Sequence, residues 1–121
     1  MAESHNLGKD GEAIASDYLG KKGYRILHRN WVWGKKEIDI IAENKDFIVF
    51  AEVKTRSRDM HLRPGDLVPR EKQRYMIFAA EGYIKRYNIN KESRFDVITI
   101  ISGPDLPEIE HIENAFYPTL R

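Results

Sequence analysis

Apolar positions along the chain switch between a helical and a strand period, and each run predicts one element. Over residues 7–22, Leu7, Gly11, Ile14, Ala15 and Tyr18 recur at helical spacing, and Gly23 supplies a stop. Residues 24–33, "YRILHRNWVW", are rich in the aromatic and branched side chains that suit a strand. "EIDIIAE" (37–43) and "FIVFAEVKT" (47–55) predict two more strands, with Asn44-Lys45-Asp46 as the hairpin turn between them. A loop containing Pro64-Gly65-Asp66 follows. Pro69 then opens a helix through about Tyr87, whose Met76, Ala79, Ala80, Tyr83, Ile84 and Tyr87 form one stripe. "RFDVITIIS" (94–102) predicts a fourth strand, and the tail "IEHIENAF" a short edge strand.

Alternation within the strands assigns faces. In the third strand Phe47, Val49, Ala51 and Val53 share one side, while Ile48 and Phe50 share the other. Both sides are apolar, so this strand is central and covered on each face. In the second strand Glu37, Asp39 and Ile41 fall together, opposite Ile38, Ile40 and Ala42. The order helix, three strands, helix, strand predicts an α/β fold, a mixed sheet flanked by helices.

Composition narrows the class. The 121 residues fit one domain, 1–121, and 41% hydrophobic with 32% charged residues is a globular balance. The absence of cysteine excludes disulfides, thiolate metal sites and a thiol nucleophile. The opening "MAESHNLGKDGEA" lacks the basic start and apolar run of a signal peptide, and no apolar stretch approaches the roughly 20 residues that span a bilayer. The expectation is a soluble cytoplasmic protein without a membrane partner. A net charge of +1 does not announce a nucleic-acid binder. Residues 54–74 are locally basic, however, and Arg56, Arg58 and Arg63 there suit either phosphate contacts or a solvated loop. Trp31 and Trp33 share a strand face and read as packing residues in preference to base-stacking ones. His5, His28, His61 and His111 show no metal-ligand spacing and read as surface residues.

The chemistry lies where the central strand ends. Glu52 and Lys54 continue the Ile48/Phe50 face at the point where the strand emerges from the core. A hairpin register that brings Asp39 beside Glu52 would gather three carboxylates, with Glu37, around one lysine. Crowded carboxylates on a partly desolvated surface require a proton or a cation between them. Oxygen ligands without histidine or cysteine suit Mg2+ or Mn2+, which could hold a phosphate oxygen and activate water. Lys54 is placed to orient that water or neutralise developing charge. Lys72, four residues before Met76, continues the second helix's stripe and could reach the site or a phosphate, or run out to solvent.

Asp39, thirteen residues before Glu52-Val53-Lys54, resembles the D…(D/E)xK signature of the restriction-endonuclease-like (PD-(D/E)xK) superfamily. The element order resembles that superfamily's αβββαβ core. From Leu7 to Ile101, "GKDGEAIASDYLGKKGYRILHRNW", "EIDIIAE", "FAEVKTRS" and "FDVI" are similar to the YraN-like uncharacterised family, itself related to archaeal Holliday junction resolvases. Ile38 stands where the signature carries proline, and Lys36 where the family usually carries glycine. The resemblance implies that Asp39 and Glu52 bind metal, with the Val53 carbonyl, and that Lys54 is the catalytic lysine. It implies that Glu12 completes the acidic site. Glu12 read as a residue alone is ordinary complementarity to a helix dipole. Glu37 is either a supporting group or a solvated strand end. Substrate contacts would fall to Arg56 and Lys72. Two functions follow as expectations. One is a metal-dependent endonuclease cutting branched or single-stranded DNA, with a homodimer as the expected assembly; the other is a non-catalytic nucleic-acid-binding or partner-binding module on the same fold.

Overall fold

The computed structural model describes residues 7–59 and 68–118, with side chains from Gly11 onward. Pro64-Gly65-Asp66, Arg63, His5 and His61 lie outside the described residues. The elements run α1 (Leu7–Lys21), β1 (Arg25–Trp33), β2 (Lys36–Glu43), β3 (Phe47–Ser57), α2 (Arg70–Arg86), β4 (Glu92–Ser102) and β5 (Glu108–Phe116). The strands lie side by side in the order β1-β2-β3-β4-β5. Only the β3–β4 pair is parallel, because α2 carries the chain back across the sheet between them. The αβββαβ order expected from the sequence is therefore present, a mixed sheet flanked by helices and extended by the edge strand β5.

Local chemistry sets the joints. Gly23 adopts φ +99, a left-handed backbone that glycine adopts without steric cost, and Tyr24 N donates to Leu19 O at 3.0 Å as α1 ends. Between β2 and β3 the Asn44 Oδ1 accepts from both Asp46 N (2.9 Å) and Phe47 N (2.8 Å), which closes the turn. Pro69 precedes the first residue of α2 with ψ 151, and its carbonyl accepts from Gln73 N at 2.9 Å. The proline's fixed φ enters the helix without needing an N–H.

Two cores sandwich the sheet. On one side α2 lays Met76, Ala79, Ala80 and Tyr83 against Ile48, Phe50, Phe95 and Val97. On the other, α1 lays Ala15 and Leu19 against Val49, Ala51, Ile98 and Ile100. Phe50 and Phe95 are fully buried and stack with centroids 5.6 Å apart. Burying side chains of this size contributes about 1.5–3 kcal/mol each. β3 is thus covered on both faces, and its residues alternate between the cores as its sequence predicts.

Three expectations need correction. Strict alternation places Ile38 with Ile40 and Ala42, but Ile38 packs in the α2-side core with Trp31 and Ile41. The pairing of β2 with β3 covers Ile40 to Glu43 and does not extend to Ile38, while opposite this stretch Asn30 of β1 bends at φ 53. Freed from the β3 ladder, the strand turns over at Asp39. The second correction concerns histidines. The His111 side chain is 4% exposed, held between Asp96 and Tyr18. His28 packs edge-on to Tyr83, with ring centroids 5.4 Å apart. Finally, the tail's edge strand is not short. It spans nine residues, antiparallel to β4.

Candidate active site at the exit of β3

The point at which β2 peels away from β3 creates the site. The ladder stops at Ile40 opposite Ala51, so the backbone N–H of Val53 has no partner on β2. The Asp39 side chain replaces it, its Oδ2 accepting from Val53 N at 2.8 Å. A carboxylate is thereby wedged into the split between two strands. The alternation of β3 directs Glu52 to the α2 side, where it is 6% exposed.

Glu52 does not stand alone with one lysine. Its Oε2 lies 2.9 Å from Lys72 Nζ and 3.8 Å from Lys54 Nζ. Lys72 reaches it from the first turn of α2, just as the helical stripe allows. Burial works against the Lys72 charge, but the hydrogen bond and attraction from Glu52 outweigh it and hold the ammonium above its ordinary value. The i, i+2 spacing of β3 brings Lys54 to the same carboxylate, so two cations clamp one buried anion.

Asp39 has no such cation on it. Burial, reinforced by the neighbouring charges of Glu52 and Glu12, pushes its carboxyl up to about 7. The Val53 N–H and, more weakly, Lys72 oppose the rise. Glu12 is brought within range by Gly11. A methyl group at Gly11 would stand 2.6 Å from Thr55 Cγ2, so α1 rests directly on β3 at that point. Glu12, with its side chain 18% exposed, faces Arg29 Nη2 at 3.9 Å. The structure therefore unites residues from α1, β2, β3 and α2: Glu12, Asp39, Glu52, Lys54 and Lys72.

The remaining candidates fall elsewhere or differently. Glu37 is exposed and its charge acts on the Tyr75 phenol, away from Asp39 and Glu52, whereas the charge of Glu12, which the family resemblance named, acts on Asp39. Val53 is held through its N–H. Arg56 Nη2 lies 3.9 Å from Glu110, and Arg58 Nη1 lies 3.1 Å from Glu108, so both arginines brace β5. Lys36 sits over the Tyr75 ring at 5.7 Å. The Tyr75 hydroxyl donates to Trp33 O at 3.0 Å, which ties the β1–β2 turn to α2. Arg29 was not foreseeable from the strand pattern. Its position opposite Ile40 depends on a register shift between Ile26 and His28 that no local signal marks.

Among the described residues no three histidine, aspartate or glutamate side chains gather closely enough to hold a metal by themselves. The site offers a pair of oxygen donors, Asp39 and Glu52, with Glu12 further along. Mg2+ is commonly held by one or two carboxylates together with water and substrate phosphate, so this pair fits a hard ion completed by its substrate. The Asp39 carboxyl is raised first by burial and then by the neighbouring carboxylates of Glu52 and Glu12.

The model of an uncharacterised protein family, UPF0102, matches residues 11–100. A UPF0102 protein of Parabacteroides distasonis is 44% identical over 121 residues, covering 100% of both chains. One of Bacteroides fragilis is 46% identical over 120 residues, 99% of each. One of Flavobacterium psychrophilum is 42% identical over 117 residues, 97% of this chain and 98% of the other.

Proposed function

This chain belongs to the uncharacterised protein family UPF0102, and from that premise and its restriction-endonuclease-like architecture we propose that it is a metal-dependent nuclease hydrolysing phosphodiester bonds in DNA. The observation that carries the reading is the buried Glu52, clamped by Lys54 and Lys72, beside an Asp39 whose proton is held up to about 7. Perturbed carboxylates of this kind concentrate at functional sites.

In this reading Asp39 and Glu52 hold Mg2+ or Mn2+, with the Val53 carbonyl as a further oxygen donor. The ion supplies charge stabilisation at the phosphoryl oxygens and lowers the pKa of a water. Hydrolysis adds that water to phosphorus and breaks one phosphorus–oxygen ester bond. The water's proton must depart and the leaving oxygen must gain one. Lys54, a mobile point charge 3.8 Å from Glu52, orients the attacking water and offsets charge that grows on the phosphoryl group. Lys72 supports Glu52 and meets a phosphate as the substrate arrives. Glu12 raises the acidity-resisting field around Asp39 and supports the water. Arg56, held 3.9 Å from Glu110, would have to exchange that partner for a backbone phosphate to take part in binding.

The test offers junction, flap, single-stranded and duplex DNA to the protein with Mg2+ or Mn2+. Cleavage is expected, and Asp39→Asn and Lys54→Ala are each expected to lower its rate by at least about a hundredfold. Cleavage that persists unchanged in both variants places the activity outside this cluster. Salt-sensitive DNA binding without turnover would favour the binding-module reading, which the small net charge of +1, Lys36 and the small size of the domain support.

A further inference from the structure

A groove of about 440 Å3 lies on the α2 side, away from the β3 exit, and is lined by Trp33, Phe78, Glu81, Gly82, Lys85 and Arg86. We propose that this groove docks an unpaired base of a single-stranded nucleic acid, with Lys85 and Arg86 on the flanking phosphates. The proposal deepens the nuclease reading by naming the strand type that the same protein would take, and it rests on that reading only for what happens to the strand after binding.

Four observations carry it. First, Phe78 is 62% exposed in the middle of α2, where a surface helix would ordinarily carry a polar residue. Second, its neighbour Trp33 is rigidly seated. Its ring stacks on Trp31 at 5.4 Å and 21°, and it covers Gly82 so closely that a methyl group there would stand 2.3 Å from the ring. Trp31 completes the core, as its strand face predicted, and Trp33 presents a fixed aromatic wall next to Phe78, whose ring meets it at 6.3 Å and 69°. A platform that is already ordered loses little entropy when a base stacks on it.

Third, the charges at the lip suit a polyanion. Lys85 and Arg86 close the last turn of α2 against the single carboxylate of Glu81. Two adjacent cations beside an exposed aromatic ring match the phosphate and base of one nucleotide. Fourth, the groove and the carboxylate site are both built on α2. At 3.6 residues per turn Phe78 is turned about 120° and Lys85 about 140° around the helix from Lys72, the residue on Glu52, so the two sites occupy different faces of one rigid element. At about 1.5 Å of rise per residue, Phe78 is roughly 9 Å and Lys85 roughly 20 Å along the axis from Lys72.

The experiment measures fluorescence anisotropy of a labelled twelve-nucleotide oligothymidylate with the whole protein in EDTA, where hydrolysis cannot intervene. The comparison probes are an abasic oligomer of equal length and a duplex of equal length. Oligothymidylate is expected to bind about tenfold or more tightly than the abasic oligomer, and Phe78→Ala to remove that advantage. Lys85→Glu is expected to weaken both single-stranded probes together and to reduce the salt dependence. Phe78 is exposed, so circular dichroism and thermal melting are expected to show that Phe78→Ala folds. If the abasic oligomer or the duplex binds as well as oligothymidylate, or if Phe78→Ala binds like wild type, the inference is overturned. It is equally overturned if sedimentation shows a dimer that Phe78→Ala abolishes while oligomer binding is unaffected, because the occupant is then a second copy of the chain. Base-dependent binding without any cleavage in Mg2+ would leave this inference standing and sink the nuclease reading alone.

Discussion

Asp39 concentrates the physical conflict of the molecule. Its carboxyl is raised from 3.8 to about 7 by burial and then by Glu52 and Glu12. In the unfolded chain it ionises near the ordinary value, so between about pH 4 and 7 the folded state binds more protons than the unfolded one. Stability from this group is full at low pH and is lost as pH rises through about 7. Asp39→Asn keeps an oxygen that can accept from Val53 N and removes the charge. It is therefore expected to be more stable than wild type at pH 8, by about 1–2 kcal/mol after allowance for solvent screening, or several degrees of melting temperature. The difference should shrink towards zero at pH 4. Melting curves at both pH values check this, and equal stability at pH 8 would show that Asp39 carries no strain. Millimolar Mg2+ is expected to raise the melting temperature of wild type and not that of Asp39→Asn, because binding to the folded state alone adds stability.

At the scale of elements, the site depends on how closely α1 approaches β3. Gly11 meets Thr55 where a methyl group would be only 2.6 Å from Cγ2, so Gly11→Ala must lift the start of the helix or displace Thr55. The expected cost is about 1–3 kcal/mol, with Glu12 moved away from Asp39. Thr55→Ser removes the Cγ2 methyl and opens that space. The double variant is then expected to recover most of the loss, a strongly non-additive cycle measurable by urea unfolding. Additive losses would mean that Gly11 acts through helix propensity instead. The same contact shows what the sequence could reveal. The stripe of α2 put Lys72 within reach of the site, and β3 alternation put Glu52 and Lys54 on one side, because both depend only on local period. The turnover of β2 at Asp39 was hidden. It arises from lost pairing with β3 and from Asn30 in the strand alongside, and a period of two contains neither.

Across the whole molecule, β5 is locked on by a buried polar network that no motif announced. Asp96, fully buried, accepts from Arg94 Nε (3.0 Å) and Nη2 (2.9 Å) and from the backbone N–H of Asn114 (3.0 Å). His111 Nε2 lies 2.7 Å from the same carboxylate, and its Nδ1 lies 3.0 Å from the Tyr18 hydroxyl of α1. Tyr24 completes the shell around Arg94. "IEHIENAF" showed an edge strand, but the burial of His111 required knowing that α1 and β4 meet above it. Burial alone would raise the Asp96 carboxyl; the hydrogen bonds from His111, Arg94 and Asn114 outweigh it and hold it below the usual 3.8. The sign is opposite to that of Asp39. The contribution of Asp96 is present above about pH 4 and is lost as pH falls below that through its depressed folded value. Asp96→Ala leaves the Arg94 guanidinium, 7% exposed, without its main counter-charge, an arrangement that costs about 3–5 kcal/mol. At pH 7 the variant is expected to unfold at much lower urea than wild type. Between pH 5 and 3 wild type is expected to lose the advantage progressively, so that the two urea midpoints approach each other. Midpoints that stay equally far apart down to pH 3 would show that packing, and not the charged network, holds α1, β4 and β5 together.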